Sequence, residues 1–183
     1  DEAISRAYDL VSSKNPDIEE AQRQQIAQKV GIAAVKYADL SKNRTSDYLF
    51  DWSSMLSFEG NTAPYLMYAY ARIASLLAKQ GHNTQQKSLI PAGASMAPEE
   101  MALLLKSLQL AETIEAVAQD CFPNTLCTYL YELAGTFMRF YEACPIQSAD
   151  EMTRTQRLSL CVLASEALKQ GLNLLGIETL ERM

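Results

Sequence analysis

Apolar residues recur every three or four positions along almost the whole chain, a spacing typical of α-helices that bury one face. This pattern predicts a first helix over residues 3–13 and a second helix that begins after Asp17, a candidate N-cap with Glu20 three residues later. The apolar face of the second helix consists of Ile26, Val30, Ala33 and Tyr37. Gly31 lies inside this helix, where glycine costs about 1 kcal/mol relative to alanine, so we expect close packing or a bend there.

The same spacing predicts three helices in the second half of the chain. The first begins near Pro98, and its apolar positions are Met101, Leu104, Leu105, Leu108 and Ile114. The second begins at Pro123 and ends before Pro145, with an apolar side made of Leu126, Leu130, Leu133, Phe137 and Phe140. The third covers residues 150–175 and ends at Gly176, and its apolar positions are Leu158, Val162, Leu168, Leu172 and Leu175.

Two segments depart from the helical pattern. Residues 81–98 contain glycine, proline and polar residues that predict a flexible loop. Residues 41–57 mix turn formers with aromatic residues, which predicts an irregular segment followed by a short helix over residues 53–58. We expect this segment to be poorly ordered or to expose aromatic side chains such as Trp52. The rest of the chain predicts an all-α helical bundle.

The helix predicted over residues 62–79 has the most informative pattern. Thr62 is its candidate N-cap, and Pro64 falls in the first turn, where a missing N–H does no harm. One face is apolar and contains Leu66, Tyr70, Ile73 and Leu77. A second face contains Tyr65, Tyr68, Arg72, Ser75 and Lys79, which span an arc of roughly 80° around the helix axis at about 100° per residue.

This second face has two interpretations. Its tyrosines can pack on a neighbouring helix while Arg72 and Lys79 are solvated, and the spacing alone slightly favours this interpretation. Alternatively, the tyrosines stack on unpaired bases and the cations contact phosphates or base edges. Single-stranded RNA loops are recognised in this second way, and each stacked base contributes about 1–3 kcal/mol.

The formal net charge of −6 argues against a protein that coats nucleic acid, because phosphate binding favours lysine and arginine. Residues 36–87 are the exception, with six basic and four acidic side chains, and they include the tyrosine-bearing helix. No apolar run approaches the ~20 residues that span a membrane. The chain starts without methionine or a leader-type segment, so we expect a piece of a longer protein that begins inside a helix.

The cysteines and the single histidine do not predict a metal site. His82 lies in a predicted loop, and one histidine with scattered cysteines is poor material for zinc. The cysteines form no Cys-x-x-Cys pair and lie in apolar or helical contexts, which predicts reduced, mostly buried thiols at Cys121, Cys127, Cys144 and Cys161. Four acidic residues lie at predicted helix starts, where the helix dipole favours them without catalysis: Glu99, Glu100, Asp150 and Glu151.

Several long and compositionally unusual runs follow one another along the chain. The first is V-G-I-A-A-V-K-Y-A-D-L-S-K-N-R at residues 30–44, followed by D-Y-L-F-D-W at 47–52 and M-L-S-F-E-G-N-T-A-P-Y-L at 55–66. Further runs lie at residues 129–134, 139–142, 174–177 and 181–183. In this order they resemble the C-terminal region of the arginyl-tRNA synthetases, which are class I aminoacyl-tRNA synthetases. The resemblance implies a helical anticodon-binding domain of the DALR type over residues 58–183, with residues 1–57 joining it to a catalytic domain.

The resemblance also implies which residues contact RNA. Nucleotides of the anticodon loop should lie against Tyr65, Tyr68 and Arg72, and two further residues, Tyr141 and Met183, should approach the same loop. Contacts with the tRNA backbone or with the catalytic region are implied for Lys79, Asp39, Arg44 and Asp51. For the last three, a structural network of ion pairs is the alternative.

Two positions depart from the family's pattern. Met67 stands where glutamine is common, and Ser53 stands where aspartate is common. Because Met67 lies off the face that carries Tyr68 and Arg72, we expect its change to alter packing more than RNA recognition.

The implied function is that of a tRNA-binding region in arginine–tRNA ligase. The family's full enzyme attaches arginine to its tRNA with ATP and Mg²⁺, but its H-I-G-H-like motif and any P-loop are absent from this sequence. We therefore expect no catalytic residue, metal or cofactor in this chain. Expected partners are the anticodon arm of arginine tRNA and the N-terminal catalytic region, but neither DNA nor membrane, for a cytoplasmic monomer. The alternative is a stand-alone helical protein-interaction module, which suits the acidic charge but leaves the order of the motifs unexplained.

Overall fold

The computed structural model describes residues 1–14, 16–82 and 95–183, and all regular structure in these ranges is α-helical. The helices are α1 (Glu2–Lys14), α2 (Glu20–Leu40), α3 (Trp52–Met55), α4 (Ala63–Lys79), α5 (Pro98–Leu108), α6 (Leu110–Asp120), α7 (Pro123–Ala143) and α8 (Glu151–Leu174). The predicted all-α bundle is therefore confirmed. Within these ranges no helix is long and apolar enough to cross a membrane. The loop predicted over residues 81–98 lies mostly outside the described residues.

The core lies between α2, α4, α7 and α8. The apolar residues predicted for one face of α2, α4, α7 and α8 are buried, which confirms the faces assigned to these four helices. Met67 joins this core and is fully buried, so its expected place off the exposed face of α4 is confirmed. Three of the four cysteines are also buried, and all four thiols are free, as expected.

The first two helices pack closely against each other. A Cβ atom at Gly31 would lie 2.7 Å from the backbone oxygen of Ala3, so no larger residue fits without a backbone shift. The close packing predicted at Gly31 is confirmed. Tyr37, at the other end of α2, is buried, and its hydroxyl lies 2.9 Å from the backbone oxygen of Cys127 and 2.5 Å from Asn61 Oδ1. These contacts fix α2 against α7 and against the turn that precedes α4.

The start of α2 differs from the prediction. The N-cap is Glu19 and not Asp17, and it makes no side-chain capping bond. The guanidinium of Arg23 donates to the backbone oxygens of Pro16 and Ile18, at 2.9 and 3.0 Å. Because these bonds satisfy the carbonyl groups of a turn, the chain enters the helix later than the capping pattern indicated.

The single helix predicted from Pro98 onward is two helices that meet at Gln109. Its predicted apolar face is partly wrong, because three of the residues are exposed: Met101, Leu105 and Leu108. The buried face instead contains Glu100, Leu103, Ser107 and Leu110. The helical periodicity was predicted correctly, but the buried side of α5 is the side that carries Glu100. Three apolar positions of α5 therefore do not face the bundle.

Glu100 is the centre of a buried polar cluster. Its position at a helix start indicated only an interaction with the helix dipole and did not predict this cluster. Its carboxylate accepts hydrogen bonds from Arg157 Nε at 2.6 Å, Ala97 N at 2.7 Å and Gln156 Nε2 at 3.2 Å. Arg157 also donates to the backbone oxygen of Pro145. The cluster therefore ties the start of α5 to α8 and to the loop that leads into α8. In contrast, Asp150 caps α8 by accepting from the Thr153 amide, as its place at a helix start indicated.

Residues 41–57 are irregular except for α3. This helix begins one residue earlier and ends three residues earlier than the short helix predicted over residues 53–58. Asp51 caps α3 by accepting from the backbone amide of Ser54, and hydrogen bonds from the hydroxyl of Ser53 and from the hydroxyl and amide of Ser54 lower the pKa of Asp51 to about 2. Trp52 is not exposed as expected, because it is half-buried with the guanidinium of Arg6 5.6 Å from its ring centroid. The exposed large side chains of this segment are Tyr48, Leu49 and Phe50.

Candidate nucleic-acid interface

The local structure at the start of α4 sets the direction of its exposed face. The hydroxyl of Thr62 donates to the backbone oxygen of Ser57 at 2.6 Å and accepts from the Tyr65 amide at 3.3 Å, which confirms the predicted cap. Because the aliphatic side of α4 is buried, the opposite side faces outward. Tyr68 is 40% exposed on this side, and Lys79 is also exposed.

The exposed side of α4 forms one wall of a cavity of about 810 Å³, which we call the basic groove. Opposite α4 lie the turn before α2 and the C-terminal segment of the chain. The polar and aromatic residues that line it are Gln22, Tyr68, Arg72, Ser75, Lys79, His82, Glu181 and Arg182, and Met183 contributes an apolar side chain. The side chains that line the basic groove include three permanent cations and one carboxylate, so its side-chain charge is positive on a protein whose net charge is −6.

Arg72 lines the basic groove and contacts Tyr141, which does not itself line the groove, so a contact of either residue with RNA stays a prediction. The guanidinium carbon of Arg72 lies 4.6 Å from the ring centroid of Tyr141 on α7. The Tyr141 ring in turn packs 6.0 Å from that of Phe137, centroid to centroid. This cation–π contact orients the guanidinium. Among the described residues Arg72 has no ion-pair partner, so its N–H donors are available for a ligand.

Tyr65 does not line the basic groove. Its ring packs edge-on against Tyr131 of α7, with 5.6 Å between centroids, and partial burial raises the pKa of its hydroxyl. The packing interpretation of the sequence therefore describes Tyr65, whereas Tyr68 has an open face. A contact between Tyr65 and RNA stays a prediction.

The C-terminal segment is held in place by two lysines of α2. Lys36 Nζ donates to the backbone oxygen of Gly176 at 2.7 Å, and Lys29 Nζ lies 2.9 Å from Glu178 Oε2. The bond from Lys29 lowers the pKa of Glu178. Ile177, between the two contacts, is buried. These anchors place the last residues, including Met183, across the basic groove from α4.

The remaining predicted residues lie elsewhere. Asp51 is the cap of α3, and Asp39 is exposed on α2. The guanidinium carbon of Arg44 lies 5.0 Å from the ring centroid of Phe122. The structure, over the residues it describes, shows no ion pair among Asp39, Arg44 and Asp51, so they do not form the alternative ion-pair network. Their contact with tRNA or with a catalytic domain stays a prediction, as does the effect of Ser53, whose hydroxyl donates to Asp51 at 2.6 Å.

Sequence reasoning missed several residues of the basic groove, chiefly Ile18, Gln22, His82 and Arg182. Of these, only His82 could have been placed from the adjacent sequence, because it follows Gly81, the glycine after the end of α4. Gly81 has a φ of +73°, and the His82 amide donates to the Leu77 carbonyl of α4. The turn before α2 had no local signal, because only the tertiary fold brings it to α4. Across residues 1–14, 16–82 and 95–183, no group of three or more His, Cys, Asp or Glu side chains could hold a metal ion.

Comparison with known proteins gives two family matches. A model of the DALR anticodon binding domain matches residues 66–183, and a model of the catalytic domain of class I (R) tRNA synthetases matches residues 1–52. The chain is 55% identical over 183 residues to an arginine–tRNA ligase of Marinomonas sp. (strain MWYL1), covering all of this chain and 31% of the relative. It is 54% identical over 185 residues to one from Colwellia psychrerythraea, again covering 31% of the relative.

Solved structures give the same result. The arginyl-tRNA synthetase of Thermus thermophilus superposes with a TM-score of 0.89 at 33% identity, covering all of this chain and 31% of that one. The enzyme of Plasmodium falciparum superposes with a TM-score of 0.85 at 29% identity, covering all of this chain and 32% of that one. The chain thus spans about 31% of the length of the curated relatives it matches.

Proposed function

The chain belongs to the DALR anticodon-binding domain family and resembles arginine–tRNA ligases over its whole length, and we propose that it binds the anticodon arm of arginine tRNA. The observation that carries this proposal is the basic groove, which is lined mainly by residues of the family's domain and combines the exposed Tyr68 with cations that have no ion-pair partner among the described residues. Aromatic stacking with flanking Arg and Lys is how proteins hold unstacked bases and their phosphates.

The basic groove offers two kinds of contact to RNA, which are stacking on an aromatic ring and polar contacts with cationic side chains. Tyr68 offers a ring face to a base, and Arg72, oriented by Tyr141, offers planar N–H donors to a base edge or phosphate. Lys79 lies two turns further along α4 and suits a phosphate contact. The acidic charge elsewhere on the chain opposes non-specific binding, so RNA is attracted where these cations lie.

The complete enzyme would join arginine to this tRNA with ATP and Mg²⁺, in the cytoplasm, and the chain itself would perform no chemistry. Residues 41–57 would contact the catalytic region, because the match to the catalytic-domain family ends at residue 52 and Leu49, beside it, is 95% exposed. Detection of ATP–pyrophosphate exchange by the pure chain would contradict the proposal that the chain itself has no catalytic activity.

A titration of the chain with an arginine-tRNA anticodon stem-loop tests the proposal. Binding should weaken with salt, and Arg72→Ala should cost about 1–3 kcal/mol of binding free energy. Arg154→Ala is the matched control, since Arg154 is also a half-buried arginine but lies on α8 and does not line the basic groove. Neutralising Glu166, an exposed acid of α8, should leave the affinity unchanged or slightly higher.

A protein-interaction module is the second candidate, and the exposed apolar side of α5 favours it. Met101, Leu105 and Leu108 share this side at helical spacing and are all exposed. Absence of stem-loop binding at low salt and high protein concentration would favour this candidate over the first.

A further inference from the structure

A second cavity, of about 240 Å³, shares Tyr68 with the basic groove. We call it the Phe58 pocket, and it is lined by Val11, Lys14, Phe58, Tyr68 and Met183. Tyr68 and Met183 line both cavities, so these two side chains form the wall between them. Because the two cavities share these residues, a ligand in the basic groove that contacts Tyr68 or Met183 lies next to the Phe58 pocket.

The lining of the Phe58 pocket has the chemistry of a base-binding slot. The rings of Phe58 and Tyr68 meet edge to face with 6.3 Å between centroids, and Val11 and Met183 complete an apolar enclosure. The one charged lining residue is Lys14, which is exposed in the last turn of α1. Within the described part of the chain Lys14 has no ion-pair partner. An apolar aromatic slot with a free cation at its edge suits a nucleobase that carries a phosphate.

We propose that the Phe58 pocket holds a second unstacked base of the RNA loop, next in sequence to the base held against Tyr68 and Arg72, with Lys14 on a phosphate beside it. This proposal rests on the proposed function, since the same loop fills both cavities. Tyr68 would then lie between two consecutive bases, in keeping with its place in the lining of both cavities.

In this proposal the RNA does not continue beyond the Phe58 pocket. A further cavity shares Lys14 and Phe58 with it, but it is also lined by Asp9 and Glu59. Its other cation, Arg6, is already bound to Glu2 at 2.7 Å. Since two carboxylates there face no free cation other than Lys14, phosphates are repelled and the path has two base sites.

The test measures binding of the anticodon stem-loop, intact or with one abasic position in the loop, to variants of the whole chain. Lys14→Gln should weaken binding several-fold and reduce the slope of log K against log salt by about 0.7, the value for one phosphate of a single strand. Lys14→Arg should restore the slope. Arg6→Gln is the matched control, because it removes a cation from the same helix outside the Phe58 pocket, and it should change neither quantity.

Phe58→Leu tests the base itself. This change keeps an apolar side chain but removes the ring, and binding should weaken roughly fivefold or more. The loss should disappear for the loop that is abasic at one position, and that position should neighbour the one whose removal masks Arg72→Ala. A thermal unfolding curve equal to that of the unchanged chain shows that Phe58→Leu is folded.

Three results separate the possible failures. If Arg72→Ala weakens binding but Lys14→Gln and Phe58→Leu do not, the second base site is wrong and the proposed function stands. If Phe58→Leu and Arg72→Ala are masked by the same abasic position, one base spans both cavities and the inference is overturned. If the unchanged chain binds no stem-loop, the proposed function fails and this inference fails with it.

Discussion

Removal of Arg157 should destabilise the bundle more than removal of any exposed ion pair. In the Arg157→Leu variant the Glu100 carboxylate, whose side chain is 2% exposed, keeps its bonds to Ala97 and Gln156 but loses its countercharge. Removal of one partner from a buried pair costs about 3–5 kcal/mol, because the other charge stays buried and uncompensated. For a chain of this size, that loss lowers the melting temperature by roughly 6–20 °C.

Equilibrium unfolding in urea, followed by far-ultraviolet circular dichroism, measures the loss directly. The matched control is Glu132→Ala, which breaks the more exposed pair between Lys106 and Glu132 and should cost less than about 1 kcal/mol. A double variant, Glu100→Met with Arg157→Leu, removes both charges and should be more stable than Arg157→Leu alone. If Arg157→Leu costs no more than Glu132→Ala, or if the double variant is the less stable, then the burial of Glu100 does not govern the energetics of this cluster.

Three further predictions concern positions with distinct environments. Gly31→Ala should lower the free energy of unfolding by about 1–3 kcal/mol despite the better helix propensity of alanine, because the new Cβ meets the backbone of Ala3 at 2.7 Å; a gain in stability by urea unfolding would contradict this. A thiol reagent should modify one cysteine, Cys121, in the native chain and all four in denaturant, since burial covers the other three and raises the pKa of their thiols; rapid native modification of a second thiol would refute it. Lys29→Ala should raise the pKa of Glu178 toward its ordinary value in an NMR titration. Because the pKa of Glu178 is lowered in the native chain, its contact with Lys29 stabilises the fold at neutral pH, and this stabilisation is lost as pH falls through the lowered pKa. An unchanged titration would show that Lys29 does not cause the shift.

Local signals were sufficient to predict α4. The cap at Thr62, the proline in the first turn and the division into an apolar and an exposed face all depend on residues within a few positions of one another. The same is true of the end of α8 at Gly176, where a positive φ of 69° suits glycine. Such features could be predicted because each has its cause in the adjacent sequence.

Features that depend on distant residues could not be predicted in this way. Periodicity placed Tyr65 and Tyr68 on one face, but Tyr131, which is far away in sequence, covers the first and leaves the second open. Glu100 read as an ordinary helix-start acid because its partner Arg157 lies 57 positions later. In both cases the helix was predicted and the surroundings of the side chain were not.

The basic groove and the Phe58 pocket are lined by residues from both family matches, which bears on where the proposed RNA-binding unit begins. Val11 and Lys14 lie in the part that matches the catalytic-domain family, whereas Tyr68 and Met183 lie in the DALR match. Lys29 and Lys36 of α2, also within residues 1–52, anchor the segment that carries Met183. The domain boundary predicted between residues 57 and 58 is therefore not a boundary of the site. Residues 58–183 alone would lose one wall of the Phe58 pocket and the anchors of its C-terminal segment, so we expect the proposed RNA binding to require the helices that precede residue 58.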